Sequence, residues 1–354
     1  MSSSSSTDDF SNSSSSPSSP PPSHRIVTPG DVVPLSPNMT EIEYIGTRGI
    51  KVTLIDGLSQ FFETLTVLVL RSNLLSSCSG VGALINLTTL ELYDNQIESL
   101  DDIVTLSKLE ILDVSCNRVH SLLPISKLKH LRSLFCASNR LSKIEGLEFL
   151  GDTLEQLDLG DNRISKIEGV KHLGKLNSLW IGKNRIELVK GFDNEEEGSL
   201  LLSELSPICN SLRQLDLQSN RISNLGTGLQ GLLHLEELVL GHNGIESLVI
   251  MQNESTIQCL ASQSKLSILD LTGNRIKMLG SGLDTLPHLT DLWLGYNQIA
   301  NVADMDLPRL SRTCPQLNTL YLEHNPIARD WAYRIDITKG LSSLVQLDAD
   351  LIKR

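Results

Sequence analysis

Histidine, cysteine and carboxylate side chains are the groups of this chain that could ligate a metal or act as nucleophile and base. Their spacing supports neither chemistry. None of the eight histidines (His24, His120, His130, His172, His234, His242, His288, His324) stands at metal-ligand spacing from a cysteine or from another histidine. The six cysteines (Cys78, Cys116, Cys136, Cys209, Cys259, Cys314) contain no CxxC pair. Neither a phosphate-cradling GxxxxGK[ST] nor a GxSxG nucleophile turn occurs. The expectation is a non-catalytic chain with no cofactor and no metal.

Carboxylates and large aromatics do follow a pattern, one suited to non-covalent recognition. They recur in the middle position of a Leu-x-Leu triplet that returns about every 22 residues. In order, this position holds Val69, Glu91, Asp113, Phe135, Asp158, Trp180, Asp216, Val239, Asp270, Trp293 and Tyr321. Acids are disfavoured in strands, and stacking them on one face is repulsive. A stripe of Phe, Trp and Tyr between carboxylates has the composition of a protein-binding hot spot.

The element that must position this stripe is a repeat, L-x-x-L-x-L-x-x-N-x-I. It runs from LTVLVLRSNLL (65–75) through LEQLDLGDNRI (154–164) to LNTLYLEHNPI (317–327), eleven times in all. Its asparagines are Asn73, Asn95, Asn117, Asn139, Asn162, Asn184, Asn220, Asn243, Asn274, Asn297 and Asn325, spaced 22, 22, 22, 23, 22, 36, 23, 31, 23 and 28 apart. This is the signature of a leucine-rich-repeat solenoid of the α/β class. The Leu-x-Leu forms a short strand with its leucines inward and its middle residue outward. Successive strands stack in parallel into a concave sheet, roughly 50 Å long for eleven strands. The asparagine amide is expected to bond backbone of its own turn and the next. After each asparagine, apolar residues follow at steps of three (Ile164, Ile167, Val170, Leu173, Leu176). That step matches short 3₁₀ or irregular segments on the convex side. One repeat cannot bury enough surface alone, so both ends need covers.

Composition agrees with this reading. Leucine fills 65 of 354 positions, while Trp, Tyr and Phe together fill 14. The net charge of −12 excludes general nucleic-acid binding. No apolar run is long enough for a membrane span. The serine-rich start is not expected to be a secretory signal, and the scattered cysteines fit reduced thiols inside a cell.

The expected organisation has four parts. Residues 1–37 form a disordered Ser/Pro-rich tail. It carries Ser16-Pro17, Ser19-Pro20, Thr28-Pro29 and Ser36-Pro37, which are proline-directed phosphorylation sites or an unmodified tail. Residues 38–64 form an N-terminal cap or half repeat, 65–329 the repeats, and 330–354 a C-terminal cap. Insertions near 192–211 and 248–265 break the period, as solvated loops or as a second contact surface. The slot after asparagine holds Arg118, Arg140, Arg163, Arg185, Arg221 and Arg275. This column is either a contact edge or a solvated row that pairs with nearby acids.

Several stretches carry a more specific likeness. They are LYDNQIESL (92–100), LEILDVSCN (109–117), NRISKIEGV (162–170), IGKNRI (181–186), HNGIE (242–246), YLEHNPI (321–327) and the closing DWAYR…LVQLDA. Over residues 38–354 the chain resembles the protein phosphatase 1 regulatory subunit 7 family. The resemblance implies that the catalytic subunit of a protein phosphatase 1-like Ser/Thr phosphatase lies on the concave face. The contacts it implies are Asp113, Phe135, Asp158, Trp180, Asp270, Asp291, Trp293 and Tyr321. It further implies control of the enzyme's activity, maturation or location in nucleus and cytoplasm, with room for a third, disordered inhibitor subunit. Val239, the two insertions and the serine-rich tail depart from that family. The alternative is a repeat scaffold for another protein client, of ciliary or spliceosomal type.

Overall fold

The structure is a computed structural model that describes residues 26–46, 49–188, 207–252 and 255–352. Its repeats build one continuous sheet. The strands are β1 (Glu41–Glu43), β2 (Val67–Val69), β3 (Thr89–Glu91), β4 (Ile111–Asp113), β5 (Ser133–Phe135), β6 (Gln156–Asp158) and β7 (Ser178–Trp180). They continue as β8 (Gln214–Asp216), β9 (Glu237–Val239), β10 (Val249–Gln252), β11 (Ser255–Gln258) and β12 (Ile268–Asp270). The last are β13 (Asp291–Trp293), β14 (Thr319–Tyr321), β15 (Gln346–Leu347) and β16 (Asp350–Leu351). Fourteen of them form a single sheet in chain order, interrupted only where β10 and β11 pair with each other. From β1 to β15 every neighbour in that sheet is parallel, and equivalent residues of successive repeats sit opposite one another, as Asp158 and Trp180 do. This is the leucine-rich-repeat solenoid expected from the period.

Both leucines of each Leu-x-Leu triplet point into the core, and Leu157 and Leu159 are fully buried. Cys136 fills a repeat leucine slot and is fully buried too, as a small core residue. The convex side carries short 3₁₀ segments such as Val81–Ala83, Asp101–Ile103 and Leu123–Lys127. Where the spacing lengthens to 28 residues, a short α-helix fits instead, α1 (Leu307–Thr313).

Asparagine joins each repeat to the one before it, rather than to the next. The Oδ1 of Asn162 accepts the Leu141 N–H at 2.9 Å. Its Nδ2 donates to Cys136 O at 3.0 Å and to Leu159 O and Gly160 O at 3.1 Å. The same bonds recur along the column, for example at Asn95 and Asn297. The residue preceding each repeat asparagine is left-handed, with φ between 52° and 69°. Only Gly273 among these eleven is a glycine.

The N-terminal boundary differs from the expected tail of residues 1–37. Residues 26–37 are part of the fold: Val27 is buried, and Thr53 and Leu54 donate their N–H groups to its carbonyl. The Pro29–Asp31 3₁₀ turn follows, capped by a Thr28–Asp31 box. Val32 and Leu35 of the same stretch pack against the core. Residues 1–25 of the expected tail lie outside the described residues.

At the other end, α2 (Tyr333–Gly340) covers the core, and β15 continues the parallel sheet. The chain then turns back, and Asp348 substitutes for the carbonyl a further repeat would present. Its Oδ1 accepts from Leu322 N at 2.7 Å and Glu323 N at 3.0 Å. Tyr333 donates its hydroxyl to the other carboxylate oxygen, and burial first, then Asp348, pushes that phenol up to about 12. Of the two insertions, the described part of the first ends in the Pro207–Asn210 3₁₀ turn. The second contains an antiparallel hairpin of β10 and β11.

Candidate protein-binding face

The register brings the mid-strand residues side by side on the concave face. Asp113 faces Phe135, Phe135 faces Asp158, Asp158 faces Trp180 and Trp180 faces Asp216. After Val239 the row resumes as Asp270, Trp293 and Tyr321. Asp113 and Tyr321 lie about 40 Å apart, eight interstrand steps of roughly 4.8 Å. The middle column is half-buried on the whole, with Trp293 exposed and Val69 buried between Glu43 and Glu91. Val69 therefore leaves the contact stripe.

Four aspartates have a local task that the repeat pattern did not disclose. In each repeat the backbone N–H two residues after the middle position points toward the concave side. The neighbouring N–H groups, such as those of Leu159 and Asp161, donate to the next repeat instead. Asp113, Asp158, Asp216 and Asp270 each accept that free N–H through Oδ1, from Ser115, Gly160, Gln218 and Thr272, at 2.7–2.9 Å. In the Phe135 repeat, Ser115 Oγ of the preceding turn accepts the Ala137 N–H instead.

This task occupies one carboxylate oxygen, and among the described residues no cation pairs with any of the four. Among the described residues Glu91 is the only middle-column acid in an ion pair, with Arg71. The remaining pairs, such as Arg132–Glu155 and Arg213–Glu236, lie off the stripe. Burial pushes the Asp158 and Asp216 carboxyls up, and neighbouring acids add to the rise. For Asp158 these acids are Asp216 and Asp113, and for Asp216 they are Asp270 and Glu237.

The implied contacts gather in two places. In the centre a concavity of about 480 Å³ is walled by Phe135, Asp158, Trp180 and Asp216, with Lys183 and Gln218 at its edge. Gly160 and Gly182 contribute to its surface. A Cβ at Gly182 would come within 2.9 Å of Gln218 and 3.2 Å of Asp216 Oδ1, so a glycine is needed for this close approach. Toward the C-terminus, Trp293 and Tyr321 meet edge to face, with centroids 6.0 Å apart and planes at 76°. Beside them Asp270 is bound to Thr272 N, and Asp291, two residues before Trp293 on the same face, accepts from Thr290 Oγ1 at 2.7 Å. Asp113 sits at the N-terminal flank of the central group.

Two residues join these groups beyond those the resemblance implies. Asp216 completes the central wall; it belongs to the same Leu-x-Leu column, so the period alone points to it. Tyr296 lines the C-terminal group from the left-handed slot before Asn297, a slot with no distinctive residue type.

The six arginines after the asparagines are all exposed. Arg118 and Arg221 lie 3.9 and 3.7 Å from Glu98 and Glu187, and the others enter no ion pair among the described residues. Cys78, Cys136, Cys259 and Cys314 are buried free thiols whose burial raises them, Cys78 to about 12 and Cys259 and Cys314 to about 11. Among the described residues no three His, Cys, Asp or Glu side chains converge on a metal-sized site, and no helix is long and apolar enough to cross a membrane.

Comparison with known proteins matches this architecture. Residues 209–226 fit the Leucine Rich repeat family. Lumican of Rattus norvegicus is 32% identical over 148 residues, 42% of this chain and 39% of lumican. The match therefore spans well under half the length of that lumican. Fibromodulin of Sus scrofa is 32% identical over 143 residues, 40% of this chain and 86% of that sequence. Among solved structures, an internalin of Listeria monocytogenes superposes with a TM-score of 0.61 at 23% identity, covering 89% of this chain and 88% of the internalin. The leucine-rich repeat domain of APL1B gives 0.57 at 19% identity, covering 87% and 81%. The asparagine ladder, the parallel sheet and these likenesses agree, and the chain belongs to the leucine-rich-repeat family.

Proposed function

We propose that this chain is a non-catalytic regulatory subunit whose concave face binds the catalytic subunit of a protein phosphatase 1-like Ser/Thr phosphatase. The observation that carries the proposal is the uncompensated acid and aromatic stripe. Asp113, Asp158, Asp270 and Asp291 carry charge that no cation of the described chain neutralises. Phe135, Trp180, Trp293 and Tyr321 stand between them as apolar anchors. A partner with basic and apolar residues on one convex face would neutralise the acids and desolvate the rings. The family resemblance names the phosphatase as that partner, and with it control of activity, maturation or location in nucleus and cytoplasm. The buried single thiols suit such a reducing setting.

The test is capture of purified phosphatase 1 catalytic subunit on the immobilised chain, with Asp270→Lys/Trp293→Ala beside wild type. Thermal unfolding checks that the variant is folded. Retention by wild type and loss from the variant is the expected result. No retention by the wild-type chain would sink the phosphatase reading and leave a repeat scaffold for another protein client.

A further inference from the structure

The C-terminal group on the concave face contains a socket as well as anchors. Trp293, Tyr296, Tyr321, Glu323, Thr272 and Gly295 enclose a concavity of about 250 Å³. Trp293 and Tyr321, set at 76° to one another, form a corner of two aromatic walls. Tyr296 forms a third wall, and it is held in place: it stacks on His324 at 4.0 Å with planes 19° apart. Glu323 is exposed on the remaining side, and no ion pair of the described residues uses its carboxylate. The floor is Gly295. Its backbone is not left-handed, and a Cβ there would make only ordinary contacts, 3.4 Å from Glu323 O and 3.9 Å from Thr272 Cγ2. The fold does not demand glycine at this position. A glycine does leave the floor open.

Three aromatic walls with a carboxylate at the rim favour a cation over a neutral guest. The ring faces carry negative potential, and a cation within about 6 Å of a centroid is attracted to them. The central concavity differs, because Lys183 already stands at its edge. We infer that the Trp293–Tyr296–Tyr321 socket, with Glu323 at its rim, receives a single cationic side chain, arginine or lysine, from the protein that docks on the concave face. The inference rests on the concave face being the contact surface, and it adds a residue-level specificity that the stripe alone does not have. Arginine fits best, since its flat guanidinium can stack on one ring while its N–H groups reach Glu323.

Small probes test the socket without any protein partner. The indole N–H signals of Trp180, Trp293 and Trp331 are followed by NMR as N-acetyl-arginine methylamide is added to the full chain. N-acetyl-citrulline methylamide serves as the neutral isostere. The expected result is saturable movement of the Trp293 signal alone, at millimolar probe, and little movement with citrulline. Glu323→Gln should weaken the arginine response by about threefold or more. Gly295→Leu, which fills the floor, should abolish it while the Trp180 signal stays in place. Equal responses to arginine and citrulline, or no response to arginine, would overturn the inference. If arginine binds while purified phosphatase does not, the socket stands and its client is another protein. If phosphatase binds while arginine gives no response, the socket is refuted and the phosphatase reading stands.

Discussion

Two polar columns run along this solenoid four residues apart, and they are held very differently. One is the buried asparagine column, of which Asn162 is typical; the other is the concave aspartate column, of which Asp158 is typical. Asn162 uses both ends of its amide, accepting one backbone N–H and donating to three carbonyls. Asp158 spends one oxygen on Gly160 N and keeps its charge uncompensated beside Asp113 and Asp216. The fold therefore fully determines the first column and only half determines the second. A residue type that recurs by structural need has all its bonds inside the chain. One that recurs with an open oxygen, an unneutralised charge and an aromatic neighbour leaves its bonding capacity on the surface, where the proposed partner would meet it.

The largest expected effect breaks the asparagine side of this comparison. Asn162→Ala should destabilise the chain by about 3–5 kcal/mol, read as a lower midpoint in urea, because buried backbone groups of two repeats lose their partners together. Asn162→Asp should be at least as damaging at neutral pH. It keeps the acceptor for Leu141 N but sets a second carboxylate oxygen against the carbonyls of Cys136, Leu159 and Gly160. A loss below about 1 kcal/mol for both would mean that the ladder is ornamental to stability.

The next effect belongs to the other column and to binding alone. Trp293→Ala should weaken partner binding by about 2–4 kcal/mol while the urea midpoint stays near wild type. The side chain is 39% exposed, so little core is removed. Isothermal titration with the purified phosphatase subunit reads the first quantity. A fall in stability matching the fall in affinity would place Trp293 among the structural residues.

The repeat spacing made most of this architecture legible, and physical reasons separate what it showed from what it hid. The short amide of asparagine can accept and donate at once within a buried turn, so its period betrayed the ladder. The ladder's direction, toward the preceding repeat, follows from three-dimensional stacking and leaves no trace in the period. The left-handed slot holds Ser, Asp, Cys, Lys, His, Tyr and one Gly, so no residue type marks it. Its one regularity is negative, for it never holds a β-branched residue. Val27 belongs to a short apolar cluster next to a Ser/Pro-rich run, and its backbone pairing with Thr53 and Leu54 is a long-range contact with no local sequence signal. The hairpin of β10 and β11 carries strand formers, Val249-Ile250 and Thr256-Ile257, that a break in the repeat period obscured. The candidate stripe was readable as a column, yet its division into a central concavity and a C-terminal socket emerges only when the strands stand side by side.

A smaller effect, of opposite sign, sharpens the comparison further. Asp158→Asn/Asp216→Asn keeps an oxygen for Gly160 N and Gln218 N while removing two charges. In the folded chain both carboxyls are raised, so the native state holds their protons more tightly than the unfolded chain does. The cost of charging them is present in full above the folded-state pKa and vanishes as pH falls below the unfolded value. The double variant should therefore be more stable than wild type at neutral pH, by under about 1 kcal/mol given the partial exposure of both groups. The gap should close on acidification, as read by urea unfolding across the acidic range. Partner binding should weaken in the same variant. A variant less stable than wild type at neutral pH would show that the aspartates serve the fold rather than a partner.

The smallest effect concerns the arginine column, which shares the repeat period with the other two. Arg163 is exposed, follows the asparagine turn and enters no ion pair among the described residues. Even its paired counterparts Arg118 and Arg221 stand 3.9 and 3.7 Å from their carboxylates, a separation at which an exposed pair contributes little. Regular spacing here reflects a slot that tolerates a long cationic side chain in water, with neither the closed bonds of asparagine nor the unneutralised charge of aspartate. Arg163→Ala should change stability by within about 0.5 kcal/mol and leave partner affinity unaltered. If instead it weakens binding as much as Trp293→Ala does, the partner wraps onto the edge of the solenoid, and the concave stripe is only part of the contact surface.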